Sequence, residues 1–506
     1  MSRLTGELTR RPGLMLAAVA LLAHLSSSGG YGYFRDELYF IVCGERLDWG
    51  YVDQPPLIPL IAAVMHRLFA PSLTMLRLVP AFAHAGTVAL AAETARLLGG
   101  GRWAQGMAAL ATLVAGVLLA LGTILTTNAL EPLAWLACGY LLIRIVRGGD
   151  RRWWFVLGGI AGVALLAKYT IAIWLAALGL GLAATPARRA LTRPEPYLAA
   201  TLAGLIVLPN MLWQAAQSWP FLEIARSASE AKNVGLSPLA FLEAQANMLN
   251  PATAPLWAAG LAGLAFWRRF SDLRWAAVGF TALVGTMLAL HGRDYYIAGA
   301  YPLLFAAGGV ALEAWIGSRA ARWAYAAAVA LLGLIALPFT LPILPIDGFA
   351  RYQEALGVPP QSSEHRALGR LPQNYADMFG WRELAAEVGR IYATLSPEEQ
   401  RKAVFLGRNY GEAAAIDVFG ETMPLPPAIS GHNNYFLWGP RGRDGSVVIR
   451  LGGEREQLLR AYASVEPAGT VDPPWAMPDE TRLTLWICRG RKRSFDADWR
   501  SFRHYG

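Results

Sequence analysis

The residues able to do chemistry fall in five short polar islands of an otherwise apolar chain of 506 residues. Arg35-Asp36-Glu37 follows the first apolar run. Two adjacent carboxylates beside lipid are costly unless they cap, pair or work. Two readings are open: Asp36 caps a helix over 37–47 while Glu37 faces water, or Asp36 is a general base that takes a proton from an acceptor hydroxyl. In Gly50-Tyr51-Val52-Asp53-Gln54-Pro55-Pro56-Leu57 the Pro pair makes a rigid turn. That turn brings Asp53 and Gln54 back toward the bilayer, close to Asp36 if the flanking helices fold over one another. Asn128 and Glu131 open another apolar run. Glu131 either complements a helix dipole from the first turn or faces the same cavity as Asp36. Lys168 lies in the turn between two short apolar runs, where an ammonium either snorkels to the interface or meets an anionic lipid headgroup. Arg293, with Tyr295 and Tyr296, is either an interfacial anchor in an aromatic belt or a planar fork for phosphate beside a stacking face for sugar.

These islands are positioned by apolar helices. Hydrophobic residues make up 55% of the chain and charged ones 16%, and the mean hydropathy of +0.33 argues against one large soluble enzyme. With 18 Trp, 18 Tyr and 19 Phe the chain has ample surface to bury, which excludes disorder. Cys43, Cys138 and Cys488 form neither a disulfide framework nor a zinc ribbon. A bilayer core takes roughly 20 apolar residues per helix. Runs at 14–30, 76–98, 103–121, 129–146, 154–167, 171–184, 197–213, 254–267, 275–290, 298–316 and 323–344 predict about eleven spans. Basic residues gather in alternate connections: Arg3, Arg10 and Arg11; Arg96 and Arg102; Arg144 to Arg152; Arg188 to Arg193; Arg268 to Arg274; Arg319 and Arg322. The positive-inside rule then puts the N-terminus in the cytoplasm and everything after 344 outside. The net charge of +9 is thereby explained by orientation, without a nucleic-acid partner.

The stretches 37–47 and 57–69 are amphipathic and predict helices lying in the interface. In the tail, 402–407, 446–451 and 482–488 read as strands and 381–395 and 411–419 as helices, a small α/β domain outside the membrane. The expected division is 1–345, a transmembrane catalytic domain, and 346–506, a periplasmic α/β domain. No P-loop, dinucleotide glycine motif, HExxH or GxSxG is present, so ATP, dinucleotide, zinc-protease and serine-hydrolase chemistry have no foothold.

Asp36-Glu37 followed by the 50–57 stretch resembles glycosyltransferase family 39, the dolichyl-phosphate-mannose protein mannosyltransferase-like group of the GT-C fold. Asn128-Ala-Leu-Glu131-Pro, Leu166-Ala-Lys168-Tyr169, Arg293-Asp-Tyr295-Tyr296 through Tyr301-Pro302, and Gly411-Glu412 with Ile429-Ser-Gly-His432-Asn and Trp438-Gly-Pro440 also resemble its bacterial members. The resemblance implies transfer of a sugar from an undecaprenyl- or other polyprenyl-phosphate donor to a lipid, glycan or protein acceptor outside the bacterial inner membrane. It maps the family's first-loop acid onto Asp36, a second functional acid onto Glu131 (often Asp in relatives) and the phosphate-contacting cations onto Lys168 and Arg293. Gln54 stands where some lipid A-modifying relatives place a lysine. A lipid phosphate as leaving group requires no nucleotide fold and no cofactor. Carboxylates near a phosphate could hold a divalent metal, but no ligand spacing argues for one. The rival reading is a transporter or flippase in which Lys168, Glu131 and Arg293 line a path; the sequence shows no inverted repeat.

Overall fold

The computed structural model describes residues 11–227, 236–360 and 367–505, so Arg3 and Arg10 lie outside the described residues. The chain divides into two compact units, one of Met1–Gly30, Thr74–Trp213 and Asn233–Leu344, the other of Tyr31–Leu73, Gln214–Lys232 and Pro345–Gly506. Residues 31–73 and 214–232 thus group with the tail, whereas a single cut at 345 would separate them from it.

In the first unit every expected apolar run is helical. The helices are Pro12–Ser27, Leu78–Leu97, Arg102–Val114 continued by Gly116–Leu121, Glu131–Val146, Trp153–Leu165, Ile171–Ala183, Glu195–Ala216, Ala254–Phe266, Arg274–Ala289, Tyr301–Trp315 and Arg319–Ala336. Among the described residues, four are long and apolar enough to cross a membrane unaided: Leu73–Leu97, Glu195–Ala216, Asp294–Trp315 and Arg319–Phe339. The others are shorter because the chain interrupts them, as at the 111° bend between Ile171–Ala183 and Pro186–Thr192. Leu205, Leu212, Trp323 and Leu334 are each more than 60% exposed. Such bare apolar faces fit hydrocarbon surroundings, not water.

Inside this unit close helix crossings replace hydrophobic drive with backbone contact. A Cβ on Gly308 would lie 1.9 Å from the Leu256 carbonyl oxygen, and one on Gly260 2.1 Å from that of Leu304. The Ala254–Phe266 and Tyr301–Trp315 helices therefore touch along their glycines. Trp135 and Trp174 stack with centroids 5.4 Å apart, and the Trp174 indole N–H donates to the Trp135 carbonyl at 3.1 Å.

The second unit carries a five-stranded mixed sheet of order β2-β1-β3-β5-β4, from β1 (Ala403–Leu406), β2 (Ala428–Ile429), β3 (Val447–Leu451), β4 (Tyr462–Val471) and β5 (Leu483–Arg491). β1 runs parallel to β2 and β3, while β5 pairs antiparallel with β3 and β4. Its core includes Val404, Leu406, Ile429, Val448, Val465, Cys488 and Phe495. The helices Trp381–Thr394 and Tyr410–Phe419 match the tail helices the sequence predicts. β2 and β4 were not expected. The 31–73 segment contributes the helices Arg35–Glu45 and Leu57–Phe69, the former packed on Tyr410–Phe419.

Candidate functional site

The site residues assemble as two clusters, one in each unit. In the unit of the tail, Phe34 precedes the Arg35–Glu45 helix and the Glu37 carboxylate turns back to accept its backbone N–H at 2.9 Å. The helix start is thus capped by Glu37, which is fully buried and does not face water. Asp36, one residue earlier, is left partly exposed. Its Oδ1 accepts the Tyr410 hydroxyl at 2.7 Å and lies 3.5 Å from the Arg35 guanidinium. Gly411 makes this approach possible, because a Cβ there would sit 2.4 Å from the Arg35 side chain.

Asp53 joins the same cluster from the other side of the Pro turn. Its Oδ1 accepts the Tyr39 hydroxyl and its Oδ2 the Asn433 amide, both at 3.1 Å. The Tyr39 ring lies 4.6 Å from that of Tyr410, so two packed phenols link the two carboxylates. Burial, and then the nearby charge of Asp36, push the Asp53 carboxyl up to about 7, against the lowering effect of its hydrogen bonds. Burial also raises the Tyr410 phenol well above its ordinary range, so it stays a donor to Asp36. Asn433 holds its amide in place with a positive φ of 48°, a conformation rare outside glycine and common at working sites. Gln54 does not join: it is buried, its amide nitrogen reaching only the Cys43 sulfur at 3.9 Å.

In the helical unit, Lys168 sits in the turn between Trp153–Leu165 and Ile171–Ala183, as expected. Its ammonium donates to the Asn128 side-chain oxygen, lies 3.6 Å from the Glu131 carboxylate and 4.5 Å from the Tyr296 ring centroid. Thr170 donates its hydroxyl to Glu131. Arg293 donates to the Tyr295 hydroxyl at 3.2 Å, and Tyr295 packs edge-on against Tyr296. Lys168, Arg293, Glu131 and the tyrosine pair therefore form one cationic and aromatic cluster. Glu131 tethers Lys168, a role the dipole reading of its position does not contain.

Tyr39, Tyr410, Asn433, Thr170 and Gln245 are the participants that sequence reasoning passed over. Gln245 is fully buried and donates to the Asp294 carbonyl at 3.0 Å, bracing the turn that carries Tyr295. A buried amide in an apolar helix is the signal that would have found it.

Residues 53–213 match the family described as dolichyl-phosphate-mannose-protein mannosyltransferase. The matched segment includes Asp53, Glu131 and Lys168 and leaves Asp36 and Arg293 outside. The fold is shared with ArnT from Cupriavidus metallidurans bound to undecaprenyl phosphate, at a TM-score of 0.61 and 16% identity over 94% of this chain and 97% of that one. The apo state of ArnT matches at a TM-score of 0.60 and 15% identity over 96% and 98%. The chain has the GT-C fold. Comparison with curated protein sequences gives no match. In this chain the two clusters are drawn from residues 31–73 with the tail, and from the turns of the helical unit.

Proposed function

We propose that this chain of GT-C fold is a glycosyltransferase that moves a sugar from an undecaprenyl-phosphate or related polyprenyl-phosphate carrier to an acceptor hydroxyl on the outer side of a bacterial inner membrane. The observation that carries the reading is the convergence of Lys168, Arg293, Tyr295 and Tyr296 at turns between apolar helices. Of three ammonium protons on Lys168, Asn128 and Glu131 occupy two and leave one for a phosphate oxygen. Arg293 adds a planar donor fork, and the Tyr296 face suits a sugar or the ammonium itself. The fold shared with a protein solved with undecaprenyl phosphate supports the same donor class.

Asp36 is the base of this scheme. Its Oδ1 is held by Tyr410, while among the described residues Oδ2 has no partner and is available to an acceptor hydroxyl. The acceptor oxygen attacks the anomeric carbon, its proton passes to Asp36, and the bond from that carbon to the phosphate oxygen breaks. The electron pair leaves with the lipid phosphate. One displacement without a covalent intermediate inverts the anomeric centre. Asp53, with both oxygens engaged, sets the charge beside Asp36. The acceptor class is a lipid A or lipopolysaccharide sugar, a cell-wall glycan or a protein hydroxyl. The alternating basic connections support an N-terminus in the cytoplasm and a periplasmic tail.

The test is transfer by Asp36→Asn and donor binding by Lys168→Met, in detergent with a defined polyprenyl-phosphate sugar. Asp36→Asn is expected to lower turnover about 100- to 10,000-fold with donor affinity kept, and Lys168→Met to weaken donor binding. Undiminished transfer by Asp36→Asn removes it as base; unchanged donor affinity in Lys168→Met removes the phosphate role.

A further inference from the structure

Outside both clusters, three donor groups from distant parts of the chain meet on the surface of the unit formed by the first loop and the tail. Glu45 ends the Arg35–Glu45 helix, His66 lies in the last turn of Leu57–Phe69, and Glu421 follows the Tyr410–Phe419 helix. One ligand atom from each lies within 4.8 Å of the others, and His66 Nε2 is 2.8 Å from Glu421 Oε1. We propose that Glu45, His66 and Glu421 form a binding site for a zinc-class divalent ion.

Zinc takes imidazole nitrogen and carboxylate oxygen at about 2.0–2.2 Å, which in a tetrahedron separates the donor atoms by about 3.4 Å. The observed spacing brackets that value, so small side-chain rotations close the site. One imidazole with two carboxylates favours zinc over magnesium or calcium, which prefer all-oxygen shells. Three protein ligands leave the fourth position to water.

The second observation is that no side chain closes on the Glu45 carboxylate. Among the described residues it makes no hydrogen bond or ion pair, although it stands at the negative end of a helix and feels the like charges of Asp417 and Glu421. Arg46 and His66 are the opposing charges that act on it. Arg46 does not close on it, since its guanidinium lies 4.5 Å over the Trp438 ring. Asp417 is no competing ligand: Tyr435 and Arg441 occupy its two oxygens at 2.9 and 2.7 Å. A cation between Glu45 and Glu421 satisfies both carboxylates and uses the His66 nitrogen already turned toward them. Glu45 and Glu421 are exposed and His66 is half-buried, so an ion reaches them from solution. The bound ion would pin the helix that carries Asp36 to the one that carries Tyr410. Its role is that of a staple, separate from the transfer chemistry.

The experiment is zinc titration of the full chain in detergent near pH 7, with metal content measured after gel filtration and thermal unfolding followed with and without zinc. Wild type is expected to retain one equivalent and to unfold at a higher temperature with zinc. His66→Ala and Glu45→Gln should each lose that equivalent and the thermal gain. If His66→Ala does not fold, Glu45→Gln decides, because Glu45 makes no bond whose loss would unfold the protein. A wild type that binds no zinc, variants that keep the full equivalent, or equal binding of magnesium would each overturn the assignment.

Discussion

Asp53→Asn isolates the electrostatics of the carboxylate pair. In the folded chain the Asp53 carboxyl is pushed from 3.8 up to about 7 by burial and by the Asp36 charge. A raised folded pKa means that the native state binds the proton more tightly than the unfolded chain. Stability from this group is therefore fully present below about pH 4 and is lost as pH rises through about 7. About three units correspond to a ceiling near 4 kcal/mol. Solvent reaching this partly exposed side chain reduces that to about 2 kcal/mol. For a unit of this size that is roughly 4–8 °C in unfolding temperature. Asparagine cannot ionise, so the wild-type unfolding temperature minus that of Asp53→Asn should fall by this amount between pH 4 and 8. The slope with pH is the readout, because the amide also disturbs the Asn433 contact at every pH. In an Asp36→Asn background the same fall should centre at lower pH, since one cause of the raised pKa is gone. Differential scanning calorimetry of the purified chain measures both. Parallel pH curves for wild type and Asp53→Asn would refute the assignment of a proton-retaining carboxyl.

Two further outcomes follow from the geometry. Tyr410→Phe removes the hydroxyl held by Asp36 and should slow transfer about tenfold, the worth of one charged hydrogen bond, with donor KM unchanged in a steady-state assay. Gly308→Val places side-chain carbons inside the Leu256 carbonyl contact, and a loss of about 1–3 kcal/mol, or failure to fold, should appear as earlier thermal unfolding in detergent.

Much of this architecture is written in local pattern. Apolar runs with arginines between them yield the helices, and short, nearly continuous apolar runs at 403–406 and 447–451 yield two inner strands. β4 escapes that logic: as an edge strand it carries Pro467 and a register shift at Gly469, tolerated because one side pairs with nothing in the sheet. Lys168 and Arg293 stand in turns that the apolar runs on either side already mark, so their placement was legible. The Tyr410–Asp36 bond was not, since its partners are 374 positions apart and neither type is unusual where it stands. Glu37 misled for the opposite reason. Beside Asp36 it reads as a second acid, yet the backbone N–H of Phe34 at the helix start claims its carboxylate. Gln54 was misplaced in the same way, since a polar type at a turn says nothing of whether the side chain folds inward.

The turn at Lys168 joins two helices of 13 residues each. At 1.5 Å per residue each spans about 20 Å, some 10 Å less than the hydrocarbon thickness of an ordinary bilayer. With their far ends anchored by Arg151, Arg152, Arg188 and Arg189 at one headgroup layer, the amine would stand well below the opposite one. A leaflet that thins to meet these short helices, one of the ways a bilayer answers hydrophobic mismatch, would bring its headgroups closer to the ammonium. Turnover should then respond to acyl-chain length, being fastest in thin membranes.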